Sequence, residues 1–503
     1  MPREKIDVVF INPGQLKAVY QDLGNQYSAI EPPSLAAMFA TYVRKKGGTV
    51  AILDAPALNL DPQMAARYVY DRYDPQLVVM VVYGFQPSAS TQNMTAAGAT
   101  CSALKELNPE FQILMTGTHP AALPRQTLEQ EEVDFVCSLE GPQTIWMLAE
   151  ELKSGRRRFS EVPSLWYWEG QEAKATPQGA LIEDLDAEMP GAAWDLLPME
   201  KYRAHNWHCF EHIDERMPYA SMHTTLGCPY RCTFCCINAP FGKPSYRMWS
   251  PDLVIKEIDH LVEKYGVKNI KFVDEMFVLH RAHVLGICDR IIERGHKLNI
   301  WAYARVDTVK DEMLEKLNKA GFRWLALGIE SGSKHVRDGV AKGRFGQEQI
   351  LSVVKKIQEA GINVIGNYIF GLPDDTFESM QETVDLAFEA QCEFSNFYSA
   401  MAYPGSKLYT MAGERGWELP DSWIGYSQHS YETKPLRTEV LTSAEVLRFR
   451  DAAFHKYFTD PRYLNFVEKK FGQKVRAHIE DMTKIKLRRK ILEESRKPNL
   501  VTV

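Results

Sequence analysis

Four of the nine cysteines, Cys228, Cys232, Cys235 and Cys236, fall within nine consecutive positions, while Cys101, Cys137, Cys209, Cys288 and Cys392 are scattered singly. In Leu226-Gly227-Cys228-Pro229-Tyr230-Arg231-Cys232-Thr233-Phe234-Cys235 three thiols stand at C-x-x-x-C-x-x-C spacing, just after an expected strand at Tyr219–Thr224. Thiolates are the usual ligands of iron–sulfur clusters, and a short loop can wrap three of them around one cube. Three ligands leave the fourth iron open to another molecule, much as catalytic zinc sites keep an open position. A closed electron-transfer or cluster-carrying site is disfavoured for that reason. A structural zinc site is disfavoured too, because it draws on ligand pairs well separated in sequence and the adjacent Cys235 and Cys236 cannot easily converge on one ion. Inert buried cysteines are not expected at this spacing, and Cys236 reads as a packed thiol.

Such a loop needs elements to hold it. Strand-like runs alternate with helical patterns from the cysteines to about Pro435, with strands expected near Asn269–Asp274, Asn299–Tyr303, Trp324–Gly328, Asn363–Phe370 and Glu393–Ala400. With Tyr219–Thr224 these make six βα-type units. Polar residues gather at the strand ends: Phe272-Val273-Asp274-Glu275, Ala304-Arg305-Val306-Asp307, Gly328-Ile329-Glu330-Ser331-Gly332-Ser333, Ile369-Phe370-Gly371-Leu372-Pro373 and Met401-Ala402-Tyr403-Pro404-Gly405-Ser406. Each charge alone fits a solvated strand end or an ion pair; their recurrence after five successive strands favours a binding role. Tyr303, Asn367, Tyr368, Tyr398 and Tyr403 are candidates to line the interior, although aromatic residues on strands are more often core. No general base can be named, so catalytic residues stay unassigned.

The N-terminal third shows five further βα units, the order that builds a parallel sheet covered by helices on both faces. Strands are expected at Asp7–Asn12, Thr49–Asp54, Gln76–Tyr83, Gln112–Thr116 and Phe135–Ser138, and helices near Ser34–Lys46, Pro62–Tyr73, Ser90–Leu107, Arg125–Glu132 and Gln143–Lys153. Ligands of such sheets lie beyond the carboxyl ends of the strands. The loops there are Asn12-Pro13-Gly14-Gln15, Asp54-Ala55-Pro56, Tyr83-Gly84-Phe85-Gln86-Pro87-Ser88, Gly117-Thr118-His119-Pro120 and Leu139-Glu140-Gly141-Pro142. Their Gly and Pro residues either admit a ligand close to the backbone or are ordinary punctuation. No G-x-G-x-x-G follows the first strand, which disfavours NAD. After Gly155 the composition shifts to a linker with a hairpin expected at Ser164–Trp168, turning through Glu169-Gly170-Gln171; Trp166, Trp168 and Trp194 are expected to anchor its packing.

The chain has 503 residues, 45% apolar and 25% charged, a length that predicts roughly three domains. A formal charge of −6 gives no overall reason to expect a nucleic-acid partner. Neither a spanning apolar run nor an apolar signal segment is present, so a soluble, cytoplasmic protein without a membrane span is expected. Residues after about Leu436 read as helices. Lys469 to Lys497 carries 11 Lys or Arg against 4 Asp or Glu, which reads as a helical cap docked on the acidic body, with weak association to an anionic partner or membrane surface as the alternative.

The N-terminal arrangement, including Glu31-Pro32-Pro33-Ser34-Leu35, Gly117-Thr118-His119-Pro120 and Glu140-Gly141, resembles the cobalamin-binding domain that precedes many radical SAM enzymes. The resemblance implies cobalamin contacts at Pro13, Gly14, Ser88, Gly117, Thr118, His119, Glu140 and Gly141. The Asp-x-His-x-x-Gly motif that puts a histidine on cobalt elsewhere is absent, since the second-strand loop reads Asp54-Ala55-Pro56-Ala57-Leu58-Asn59; His119 is the nearby imidazole, for loop packing, a corrin contact or a lower ligand. The cysteine motif and the six units resemble the radical SAM superfamily. That implies a 4Fe-4S cluster on Cys228, Cys232 and Cys235, with S-adenosylmethionine near Asp274, Glu275, Arg305, Glu330, Ser331 and the Gly371-Leu372-Pro373 turn. A zwitterionic sulfonium needs such anionic, guanidinium and hydroxyl groups. The implied architecture is α/β: a doubly wound Rossmann-like cobalamin-binding domain over 1–155, a linker over 156–212, a partial (β/α)6 TIM-type radical SAM barrel over 213–435 and a helical cap over 436–503. The implied activity is a cobalamin-dependent methyltransferase acting on an unactivated carbon of a small molecule through a 5′-deoxyadenosyl radical and methylcobalamin, fed by an electron donor such as flavodoxin or ferredoxin. Cyclisation, rearrangement or oxidation without methyl transfer is the alternative. Modification of tRNA is less favoured, because a basic module and a second cysteine triplet are lacking.

Overall fold

The structure, a computed structural model, describes residues 3–495 apart from residues 85 and 344. Phe85 of the third-strand loop, and Arg496 and Lys497 at the end of the basic stretch, lie outside the described residues. The first sheet has the order β2-β1-β3-β4-β5-β6-β7 and comprises β1 (Glu4–Asn12), β2 (Val50–Asp54), β3 (Tyr73–Val82), β4 (Ile113–Gly117), β5 (Phe135–Cys137), β6 (Leu165–Glu169) and β7 (Glu172–Ala175). Strands β1 to β5 are parallel. β1 presents two apolar faces: Val8 and Phe10 pack with Phe39 and Leu148 of helices Ser34–Lys45 and Pro142–Ser154, and Val9 and Ile11 pack with Val69 and Met94 of helices Pro62–Arg72 and Ala89–Leu107. Unbroken Val, Ile and Leu runs require this double cover. Because strand order reverses between β1 and β3, the loops following them diverge and open a crevice at that edge.

Two features depart from the sequence reading. The hairpin after Gly155 forms, but it joins the first sheet, β6 antiparallel to β5 and β7 antiparallel to β6, where it covers an edge of β5 that would otherwise present unpaired backbone groups. The expected turn at Thr118 is a short helix, Thr118–Ala122. Trp194 does anchor the connecting segment: it is buried and its Nε1 donates to Glu257 at 3.2 Å.

The second sheet comprises β8 (Tyr219–Met222), β11 (Asn269–Phe272), β12 (Asn299–Arg305), β13 (Phe322–Glu330), β14 (Asn363–Phe370) and β15 (Phe394–Ser399), all parallel in the order β15-β14-β13-β12-β11-β8. β8 and β15 do not pair, so this is a partial barrel. Between β8 and β11 a two-residue antiparallel pair, β9 (Thr225–Leu226) with β10 (Arg247–Met248), brackets the cysteine loop. β12 and β13 run on to include Arg305 and Glu330, beyond the expected strand ends.

Helices Ser443–Thr459, Pro461–Phe471, Gln473–Lys484 and Lys490–Glu494 close the structure. Their basic residues are largely paired: Lys470 with Glu393 at 2.6 Å, Arg489 with Asp451 at 3.1 Å, Lys490 with Glu432 at 3.1 Å, and Lys474 with Asp214. That is a cap docked on the acidic body. Among the described residues no helix is long and apolar enough to cross a membrane.

Gly117, with φ +152°, closes β4 against β3: a Cβ there would land on the Val82 carbonyl. Gly117→Ala is expected to cost about 3 kcal/mol of stability, read as a lower thermal unfolding midpoint.

Candidate active site between the two sheets

The cysteine loop leaves β9 through Gly227, whose positive φ (+86°) lets the backbone pass the Ser245 carbonyl, 2.5 Å from where a Cβ would sit. The Thr233 amide donates to the Val340 carbonyl at 3.0 Å, and the Leu408 amide to the Thr233 carbonyl at 2.9 Å, pinning the loop to the chain after β13 and to helix Lys407–Arg415. Cys228 and Cys236 are buried; Cys232 and Cys235 are partly exposed. Burial pushes the Cys228 thiol up to about 11 and Cys236 to about 12, with Cys235 also well above its ordinary value. Unliganded, these sulfurs stay protonated; a metal's charge would ionise them. Among the described residues no three His, Cys, Asp or Glu side chains converge on one ion. A cube, by contrast, takes each thiolate on a separate iron, and this loop suits it.

Arg305, Lys342 and Glu275 bring charge to the cysteines, and Asp274 and Glu330 brace the strand ends beside them. Asp274 accepts the Thr224 and Thr225 amides at 2.6 and 2.9 Å and the Thr224 hydroxyl, so it latches the end of β8 rather than pointing an unused carboxylate at a ligand. Burial pushes it up to about 6 against those bonds. Arg305 donates from Nη1 to Cys232 Sγ at 3.5 Å, stacks over Tyr230 at 3.9 Å, and clamps Asp307 through two bonds of 2.9 Å. Glu330, at φ +67°, pairs with buried Lys342 at 2.6 Å, and the Lys342 carbonyl accepts from Arg305. Glu275 is different: among the described residues its carboxylate has no hydrogen-bond or ion-pair partner, and burial pushes it up to about 7.

The other expected S-adenosylmethionine residues are held by neighbouring helices. Ser331 Oγ lies 3.2 Å from Thr383 Oγ1. The Gly371 and Leu372 amides both donate to Asp375 at 2.9 Å, and Gly371 abuts Val446 of the first cap helix, 2.7 Å from where a Cβ would stand; Pro373 follows at the partly exposed end of that turn. The sequence reading placed Asp307 at a polar strand end but gave no role to Tyr230 or Lys342; nothing local marks Lys342.

A cleft of about 630 Å³, counted with its mouth, separates the two sheets. From the first it is lined by Tyr83, Gly84, Gln86, Thr118 and Glu140, and from the second by Thr225, Leu226, Gly227, Asp274 and Glu275, over an apolar floor including Phe39 and Phe241. An apolar floor with a few polar groups at the rim is the make-up of a ligand-binding crevice. Glu140 bridges the sheets, pairing with Arg247 at 2.7 Å and accepting the Ile182 amide at 2.5 Å. The expected corrin rim is only partly brought here. Pro13 is buried, Gly14 is packed on Pro56, and Gly141 lies against Thr116 and Phe39. Ser88 is half-buried beside Tyr403. His119 turns away: its Nδ1 lies 3.2 Å from Thr91 Oγ1, its ring meets Trp423 edge-on at 4.4 Å, and burial lowers it to about 3. These glycines serve close chain packing more than ligand approach.

Gln86 also lines a second cavity, about 1300 Å³ with its opening, inside the partial barrel. Tyr303, Asn367 and Tyr398 face it as the sequence suggested. Tyr368 does not: it is fully buried against Phe397 on the opposite face of the sheet, and Tyr403 packs near Tyr426 outside both cavities.

Residues 222–387 match the Radical SAM superfamily and residues 21–148 the B12 binding domain. The chain thus carries a B12 binding domain followed by a radical SAM domain, the pairing found in cobalamin-dependent radical SAM enzymes. That pairing implies a 4Fe-4S cluster, S-adenosylmethionine and cobalamin as its cofactors. An uncharacterized methyltransferase of Pyrococcus horikoshii is 28% identical over 434 residues, 86% of this chain and 89% of the relative. The anaerobic magnesium-protoporphyrin IX monomethyl ester cyclase of Rubrivivax gelatinosus is 26% identical, covering 91% of this chain and 78% of the relative. Among solved structures, OxsB with aqua-cobalamin and S-adenosylmethionine bound superposes with a TM-score of 0.68 at 17% identity, over 96% of this chain and 72% of that one. The methyltransferase TsrM of Kitasatospora setae, with cobalamin and a [4Fe-4S] cluster bound, gives 0.65 at 18%, over 89% and 82%.

Two variants probe this site. Asp274→Asn turns one acceptor oxygen into an N–H donor facing main-chain amides, at a cost of about 2 kcal/mol, and iron bound after anaerobic reconstitution should fall well below the parent's. Glu275 is raised from 4.5 to about 7, so the folded state holds the extra proton in that window and stability falls as pH rises through it. Glu275→Gln should therefore stabilise the cluster-free chain by about 3 kcal/mol at about pH 8, with the difference vanishing near about pH 4 in urea titrations.

Proposed function

We propose that the chain is a cobalamin-dependent radical SAM methyltransferase that methylates an unactivated carbon of a small molecule. One observation carries the reading: Gly227 and Ile237, which flank the cysteine loop, the unpartnered Glu275 and the strand ends of the first sheet meet in a single cleft, which shares Gln86 with the cavity inside the barrel. The methyltransferase relative that aligns along most of the chain supports it. Cys228, Cys232 and Cys235 would hold the cluster, and Thr118, Glu140 and the Tyr83–Ser88 loop the corrin edge. When bound, these cofactors supply a reductively generated carbon radical and a transferable methyl group.

The side chains of this protein then position and shield. The Arg305 guanidinium, donating to Cys232 Sγ, offsets thiolate charge, and Asp307 holds it in that pose. Glu275 offers its carboxylate to the methionine ammonium of S-adenosylmethionine, and Lys342 holds Glu330 by an ion pair. The Glu140–Arg247 pair and the apolar floor close the cleft to water, which keeps reactive groups near each other and away from solvent. We assign the lobes as 1–155, extended by the β6–β7 hairpin, and 213–435, with the rest of 156–212 connecting them, the cap over 436–503, and an external flavodoxin or ferredoxin as electron source. Nine unpaired thiols suit a reducing, cytoplasmic compartment.

Anaerobic reconstitution of the full chain should give about four irons per chain together with a bound corrinoid, and Cys232→Ala should lose the iron while retaining the corrinoid. Turnover should yield S-adenosylhomocysteine and a product heavier by one methylene unit. A chain that takes up no corrinoid, or that forms 5′-deoxyadenosine with no methylated product, refutes the reading.

A further inference from the structure

The cavity inside the partial barrel is walled by aromatic rings, among them Trp207, Trp301, Tyr303, Phe394 and Tyr398. Among the described residues its cations are Lys271 and Arg450 and its carboxylate is Glu31. All three are satisfied. Lys271 Nζ lies 3.0 and 3.2 Å from the two Glu31 oxygens, with both side chains almost wholly buried, and 5.0 Å from the Trp301 ring centroid. Arg450 donates to the Phe397 carbonyl at 2.7 Å and pairs with Asp451 at 2.9 Å. The imidazoles carry no charge: burial lowers His429 to about 3 and His205 well below its usual value, and His205 stacks on Trp207 at 5.4 Å. The phenols stay protonated, Tyr20 being pushed by burial to about 12 and Tyr27, Tyr303 and Tyr398 also raised.

What remains available is neutral. The hydroxyls of Tyr20, Tyr303 and Tyr398 have no hydrogen-bond partner among the described residues, and each side chain is partly exposed where it lines the cavity. Trp301 Nε1 is likewise buried without a partner. Asn396 donates to Asn367 Oδ1 at 3.0 Å, leaving its own carbonyl as the complementary acceptor. An anion would enter this space without an unpaired cation to meet it, and desolvation would oppose it. A cation would compete with Lys271 for the Trp301 face.

We propose that this cavity binds the methyl acceptor and selects an uncharged ring compound bearing hydrogen-bond acceptors, stacked on the aromatic wall and held by Tyr20, Tyr303 and Tyr398. This assignment rests on the methyltransferase reading. The ion pair at its base comes from both lobes, Glu31 from the first and Lys271 from β11, so the neutrality of the pocket is a property of the assembled chain.

The test uses the full chain loaded with cluster and cobalamin, and calorimetric titration with 2-naphthol, 2-naphthoate and 2-naphthylmethylammonium. 2-Naphthol is expected to bind at least about tenfold tighter than either ion. Tyr398→Phe should weaken 2-naphthol by about threefold to tenfold, the worth of one hydrogen bond. Glu31→Gln should raise 2-naphthoate affinity relative to 2-naphthol, because Lys271 loses its counter-charge. Equal or tighter binding of 2-naphthoate by the parent, or an unaltered 2-naphthol affinity in Tyr398→Phe, overturns the assignment while leaving the methyltransferase reading standing. A chain that loads neither cofactor overturns that reading and this assignment with it.

Discussion

The Asp274 carboxylate, at the end of β11, accepts the main-chain amides of Thr224 and Thr225 and so ties two neighbouring strands together at the point where the cysteine loop departs. A buried carboxylate is tolerated only where several donors replace its water, and here those donors belong to the backbone that must be fixed. The same logic continues outward. Arg305 reaches Cys232 only because Asp307 holds the guanidinium flat, and Lys342 joins that network through its carbonyl while its ammonium restrains Glu330. The result is a reactive loop held by compensated charges instead of hydrophobic packing, which suits a site that must accept a charged cluster.

The two sheets are joined by contacts of the same kind. Glu140 with Arg247, and Glu31 with Lys271, each pair a carboxylate of the first lobe with a cation of the second. Buried pairs contribute little net stability, because desolvating both charges offsets most of their attraction, but breaking one leaves an isolated charge at a cost of about 3–5 kcal/mol. They therefore specify one relative placement of the lobes, and with it the width of the cleft, more than they strengthen the fold.

Much of this was legible in the sequence, for local reasons. The C-x-x-x-C-x-x-C spacing needs no tertiary information, and strands buried on both faces announce themselves as unbroken apolar runs, as Val8–Ile11 of β1 and Leu77–Val82 of β3 do. What stayed hidden depends on pairs distant in sequence. Lys342, Arg247 and Tyr202, whose hydroxyl donates to Asp54 at 2.8 Å, carry no local pattern. For Gly14 and Gly117 the sequence left ligand approach and chain packing both open, and their missing Cβ atoms make room for Pro56 and Val82. His119 illustrates the limit in the other direction: imidazoles invite ligand roles, and this one became a packing residue against a tryptophan 304 positions away in the chain.

The side chain of Gln21, near the start of the chain, donates to the carbonyls of His429 and Arg488 and accepts the Arg488 amide, while the Val19 carbonyl takes the Ser427 hydroxyl. These bonds close a loop of more than four hundred residues, so during synthesis the nascent first lobe waits on the ribosome without its final clasp. The cavity inside the barrel, which takes Tyr20 from one end of this clasp and Gln428 and His429 from the other, is therefore walled only once residues more than four hundred positions apart have met.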